Sequence, residues 1–145
     1  MILGIDHIGM ATDDPEGVAP FLTALGMTVS DRGTADDYGV ACEFWHYSDG
    51  IGQPAVELVS ASRSDSSVAG RLEQHGPGLY HVAFGVDDLE AELDRLRGHG
   101  FTAVDHVACS GARPGMRVAF LYARRPAGLL VELVQYQDGD VDGRA

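Results

Sequence analysis

The sequence predicts an α+β fold in which two βαβββ modules pair edge to edge into one curved mixed sheet. Three observations carry that expectation. His7 and His81 lie 74 positions apart and Glu57 and Glu132 lie 75 apart, while Asp13-Asp14 returns as Asp87-Asp88 and Gly26 as Gly100, both again at 74. Self-similarity at a fixed offset marks a duplicated unit. Each copy also runs in the same order: a strand bearing a His, an acid pair opening a helix, a Gly closing it, and a last strand holding Glu-Leu-Val. Finally, neither copy can bury its sheet alone, whereas two copies side by side bring corresponding inner-face residues together.

Residues 2–11 alternate apolar and small side chains with strand periodicity, which places Ile5, His7 and Gly9 on one face and Asp6, Ile8 and Met10 on the other. Asp13 or Asp14 caps a helix with Pro15 and Glu16 in its first turn; Val18, Phe21, Leu22 and Leu25 follow at helical spacing, and Gly26 ends it. Residues 27–30, 40–47 and 55–60 read as the remaining strands of the first module, with turns at Asp36-Asp37 and Asp49-Gly50. The Ser-, Gly- and Gln-rich stretch 62–78 reads as a connector with a short helix over 68–74. The second module holds a strand over 79–86, a helix with Leu89, Leu93 and Leu96 on one stripe that stops between Gly98 and Gly100, and strands over 102–107, 117–122 and 129–136. The expected organisation is one domain over 1–136, with module one at 1–61 and module two at 79–136, followed by a flexible acidic tail at 137–145.

Composition narrows the function. At 145 residues, 45% apolar and 22% charged, the chain has the make-up of a soluble globular domain, and no apolar run reaches the roughly 20 residues of a membrane span. The net charge is -12 and all ten basic residues are arginines. Nucleic acid is an unsuitable partner, because binding it requires a positive stripe that displaces counterions. Absence of lysine removes Schiff-base and lysine-nucleophile mechanisms. The first residues lead straight into a strand without a signal-peptide pattern, so a cytoplasmic location is expected, with Cys42 and Cys109 as thiols.

The repeated residues carry the chemistry. His7, Glu57, His81 and Glu132 make an imidazole and carboxylate donor set suited to one divalent ion, Zn, Ni, Co, Mn or Fe. Glu57 and Glu132 each sit between apolar neighbours, where an unpaired carboxylate is costly and a shared cation offsets the cost. A dication held by two neutral His and two Glu is charge-balanced and keeps room for substrate oxygens, so it can polarise a carbonyl and stabilise an enolate. Glu132 or Glu57 can supply the base that removes the adjacent proton, and Glu43 is the nearest further acid, although alternation puts it on the face opposite Cys42. His46, His75, His99 and His106 have no counterpart at the repeat offset and read as surface or loop residues; Cys42 with His46 is a weaker nucleophile pair, the simpler reading of Cys42 being a small buried residue. Arg113, Arg117, Arg124 and Arg125 cluster around the last strands as candidates for holding a substrate anion.

These features resemble the vicinal oxygen chelate superfamily, the paired βαβββ proteins that include glyoxalase I, methylmalonyl-CoA epimerase, extradiol dioxygenases and antibiotic-resistance proteins. The likeness runs nearly to Tyr136, and within the superfamily it is nearest to the methylmalonyl-CoA epimerases in "IDHIGMAT" from Ile5, "DSSVAGRLEQHGPGLYHVAFGVDDLEAELDRLRGHG" from Asp65 to Gly100 and "LLVELVQY" from Leu129. The resemblance implies metal ligands at His7, Glu57, His81 and Glu132, and dimers are common among such proteins, so a homodimer is expected. There are departures. The epimerases often have Gln where this chain has Glu57, which looks more like glyoxalase I; an epimerase catalytic Glu aligns with Cys42; and Tyr122-Ala123-Arg124 stands where the epimerases read His-Pro-Lys. The expected activity is that of a metal-dependent epimerase or isomerase removing a proton alpha to the carbonyl of a small molecule, either an acyl-CoA or a polyhydroxy ketone. The alternatives are a glyoxalase-type lyase and a metal-free protein that sequesters an antibiotic.

Overall fold

The computed structural model describes residues 1–47 and 53–137. The expected turn at Asp49-Gly50 and the tail beyond Gln137 lie outside the described residues. In chain order the elements are β1 (Ile2–Ala11), α1 (Pro15–Ala24), β2 (Thr28–Ala35), β3 (Val40–His46), β4 (Ala55–Ala61), α2 (Ser67–His75), β5 (Gly78–Val86), α3 (Leu89–Gly98), β6 (Thr102–Ala103), β7 (Cys109–Ser110), β8 (Met116–Ala123) and β9 (Leu129–Tyr136). The α+β class and the curved mixed sheet are as the repeat predicts. One sheet runs β2-β3-β4-β1-β5-β9-β8-β6, with β7 added against β8. The two repeats meet where β1 pairs antiparallel with β5, and each first strand pairs parallel with the last strand of its own repeat, β1 with β4 and β5 with β9.

Local signals explain the helix positions. Asp14 caps α1 by accepting the Gly17 N–H, Ser66 caps α2 through the Ala69 N–H and Asp88 caps α3 through the Ala91 N–H. Helix α3 buries Leu89, Leu93 and Leu96 against Leu121 and Leu133, and α1 packs Leu22 against Trp45 and Leu58. The opposite face of the sheet gathers Val40, Val59, Val118 and Val134 with Val68 of α2. Strand alternation therefore sorts neighbours to opposite sides: Leu58 and Leu133 face α1 and α3, while Glu57 and Glu132 face inward.

Two expected strands differ. The first-repeat strand expected at 27–30 extends to Ala35, because its polar stretch Ser30 to Thr34 completes a ladder with β3 that apolar alternation does not reveal. The strand expected at 102–107 stops at Ala103. Beyond it the Asp105 carboxylate accepts the Phe120 N–H at 2.9 Å and the Tyr38 hydroxyl at 2.7 Å, so a side chain takes the place of a backbone ladder. That Tyr38–Asp105 bond joins the β2–β3 turn to the far end of the sheet. Gly33 in β2 likewise comes so close to the Ala112 carbonyl that no side chain would fit between them. The sheet is curled until its two outer ends meet, enclosing the inner face.

Candidate metal centre

Pairing register alone brings the repeated residues together. Gly9 lies between Glu57 of β4 and His81 of β5, and Ala83 lies between His7 of β1 and Glu132 of β9. Phe44 pairs with Glu57, and Phe120 with Glu132. The two rows are images of one another: His7 meets Phe44 edge-on at 5.6 Å between ring centroids, and His81 meets Phe120 edge-on at 5.3 Å.

Both histidines turn Nε2 to the centre. His7 Nε2 is 3.1 Å from His81 Nε2, 3.1 Å from Glu132 Oε2 and 3.6 Å from Glu57 Oε2; His81 Nε2 is 2.8 Å from Glu132 Oε2 and 3.5 Å from Glu57 Oε1. All four ligand atoms lie within 4.8 Å of one another, and no residue of the quartet is more than 4% exposed. Adjacent donors around an ion with bonds of about 2.1 Å stand about 3 Å apart, so these separations fit one shared cation. The donor chemistry fits as well, since two carboxylates balance the charge of a dication.

The charges act strongly on one another. Burial by itself lowers the His7 pKa, but the Glu57 and Glu132 charges and hydrogen bonds to Asp6 and Glu132 outweigh it and raise the pKa well above the ordinary 6.5. Burial pushes Glu57 up from 4.5, with the Glu132 charge adding to it and the two histidines opposing it. Glu132 is also penalised by burial, yet His7 and His81, as charges and hydrogen-bond partners, bring it down to about 2.

Asp6 joins the candidate site in a way that alternation does not reveal. Strict alternation places it on the face opposite His7, but a bulge in β1 between Ile5 and His7 turns its carboxylate inward, where Oδ2 accepts the His7 Nδ1–H at 2.8 Å. The Tyr136 hydroxyl donates to the same oxygen at 3.2 Å, and Arg113 Nη1 donates to the Tyr136 hydroxyl at 2.9 Å. This chain fixes the His7 tautomer that leaves Nε2 free for a metal. Sequence spacing does not single out two further residues, Phe44 and Phe120, because their offset of 76 departs from the 74 of His7 and His81 and the 75 of Glu57 and Glu132.

Other candidates are placed elsewhere. Glu43 does not join the quartet: it pairs in register with Leu58 on the helix-bearing face, and its carboxylate is 3.5 Å from Arg32. Cys42 is buried on the inner face and lines the cavity with Glu57, where burial first and the Glu57 and Glu132 charges next raise its pKa and favour the thiol over the thiolate. His46 is half-buried beside Ser30, and His75, His99 and His106 are exposed. Arg113 is committed to Asp31 at 3.4 Å and stacks 3.8 Å over the Phe44 ring, while Arg117 pairs with Glu90 and reaches Gln135. Arg124 and Arg125 line a separate outer groove with His99 and Phe101.

The quartet opens into a cavity of about 210 Å³ on the inner face, bordered by Glu57, His81 and Glu132 and otherwise walled largely by apolar side chains such as Val40, Val59, Val118 and Leu130. A family model, glyoxalase/bleomycin resistance protein/dioxygenase superfamily, matches residues 6–140. The chain belongs to that superfamily. Proteins similar to it include the uncharacterised YqjC of Bacillus subtilis, 30% identical over 90% of this chain and 91% of that one. Another is the ethylmalonyl-CoA/methylmalonyl-CoA epimerase of Cereibacter sphaeroides, 29% identical over 93% of this chain and 99% of that one. Among solved structures, a Streptomyces coelicolor methylmalonyl-CoA epimerase variant in complex with 2-nitronate-propionyl-CoA superposes with a TM-score of 0.83 at 28% identity, over 95% of this chain and 97% of that one.

Proposed function

We propose that this superfamily member is a metal-dependent epimerase that removes a proton alpha to the carbonyl of a small molecule and returns it to the opposite side. The observation that carries the reading is that Glu57 and Glu132, from opposite repeats, border the same apolar cavity as His81. His7, Glu57, His81 and Glu132 would hold one divalent ion, with Asp6 orienting His7. Such an ion supplies Lewis acidity to the substrate carbonyl and compensates the charge that develops on its oxygen. One of the two carboxylates would take the proton from the α-carbon, the C–H electron pair forming the enolate C=C bond as the carbonyl π pair shifts to oxygen, and the other, in its acid form, would return a proton to the opposite face of the same carbon. The apolar walls exclude water from the carbanion-like species. Epimerases of malonyl-type thioesters among the similar proteins support this class of reaction.

The test is solvent exchange. The metal-loaded protein in D2O is expected to place deuterium alpha to the carbonyl of a substrate thioester, and Glu132→Gln is expected to abolish that exchange. Exchange retained at the wild-type rate in the variant would reject Glu132 as a base. Glu57 in place of an amide also resembles the glyoxalase I donor set; a lyase begins with the same proton removal, and product analysis separates it from an epimerase.

A further inference from the structure

The cavity over the candidate metal centre is poor in positive charge. Among the described residues no arginine borders it, and the chain has no lysine. Two arginines lie near it: Arg113 holds Asp31, Tyr136 and the Phe44 ring and its charge reaches Glu57, while Arg71 stacks on Tyr80, donates to the Leu79 carbonyl and lines an adjoining pocket with Tyr80 and His81. Of the polar groups on the wall, the Tyr38 hydroxyl is already spent on Asp105, which leaves Ser67 and Tyr80 as hydroxyl donors. The first turn of α2 at Ser67 adds a partial positive charge of about half a unit, too little to balance a carboxylate. The donor set works in the same direction. A dication held by two carboxylates is more nearly compensated than one held by a carboxylate and an amide, so it has less residual charge for an acidic substrate.

From this we infer that the substrate carries no second carboxylate: the cavity takes a neutral carbonyl compound with an apolar α-substituent and discriminates against malonyl-type acids. The inference rests on the epimerase reading above and names the substrate class for that site. A carboxylate brought into this cavity loses its hydration against largely apolar walls and lies beside the Glu57 and Glu132 carboxylates, with the Ser67 and Tyr80 hydroxyls and an ion already balanced by its ligands to offset the cost. An alkyl group in the same place gains burial against Val40, Val59, Val118 and Leu130. Glu57 sets the preference, because it contributes the negative charge that an amide of the same shape would not.

Two N-acetylcysteamine thioesters that share their carbonyl test this, 2-methylbutyryl and methylmalonyl. Binding to the Zn-loaded protein is measured by calorimetry and α-proton exchange by NMR in D2O. The 2-methylbutyryl thioester is expected to bind at least tenfold more tightly and to exchange. In Glu57→Gln the ratio of the two affinities is expected to shift at least tenfold toward the methylmalonyl thioester; reading the ratio within each protein cancels any difference in metal retention. Equal or tighter binding of the methylmalonyl thioester by the wild type, with exchange, overturns the inference and leaves the epimerase reading standing. An unchanged ratio in the variant overturns the role of Glu57. Binding of neither thioester, with no exchange, rejects both.

Discussion

A methyl group at residue 9 would overlap the His81 imidazole, which lies directly against the Gly9 backbone. The equivalent position in the second repeat, Ala83, is fully buried and accommodates its methyl beside His7, so the two halves of the site are not interchangeable at this point. Glycine is required at residue 9 by close approach and not by backbone conformation. Gly9→Ala is expected to push the His81 ring out of line, lowering zinc affinity at least tenfold and stability by about 1–3 kcal/mol. Zinc titration and thermal unfolding measure the two effects, and wild-type affinity in the variant would mean that the ring moves aside freely. The same asymmetry appears one shell outward, where Asp6 holds His7 but the repeat-related residue beside His81 is Tyr80, whose ring meets the imidazole edge-on at 5.3 Å.

The elements that carry the site were legible because each has a local signal. Helix α3 shows how far such signals reach: the stripe of Leu89, Leu93 and Leu96 finds its partners, and Asp88 caps it as the acid pair predicts. Asp88→Ala removes the acceptor for the Ala91 N–H at 3.0 Å and is expected to cost about 1 kcal/mol with no change in zinc affinity, because α3 lies on the side of the sheet away from the quartet. Thermal unfolding with and without zinc checks both halves of that statement. Gln135 also docks this helix, accepting the Leu89 N–H and donating to the Asp87 carbonyl, a contact that no periodicity announces. The shortening of the strand after α3 is of the same kind, since Asp105 satisfies a backbone group from a distance in sequence.

At the scale of the whole molecule the buried charges tie stability to pH and metal. His7, raised well above 6.5 in the folded protein, contributes stability that is complete below 6.5 and is lost as pH rises through its raised value. Glu132, lowered from 4.5 to about 2, contributes above 4.5 and loses that contribution as pH falls toward 2. Glu57 is raised instead, so its ionisation weakens the metal-free fold as pH climbs past 4.5. Metal-free protein is therefore expected to be most stable between 4.5 and 6.5 and to weaken on the alkaline side. A divalent ion displaces the His7 proton and uses both carboxylates, so its stabilisation grows with pH. Thermal unfolding in chelator and in zinc, from about pH 5 to about pH 8, measures the two trends; a metal-free melting temperature that rises across that range would contradict the charge assignment.

Duplication, the four repeated ligand-type side chains and the succession of strands and helices were all readable in the linear chain, because each depends on neighbours or on a constant offset. Tertiary pairing decided the rest. The β1 bulge carried Asp6 to the same side as His7, the β1–β5 register pressed Gly9 against His81, and curling of the sheet joined Tyr38 to Asp105 and gave Arg113 partners on four strands. Bulges, registers and closures involve residues far apart in sequence, and the free energy that selects them belongs to the assembled sheet.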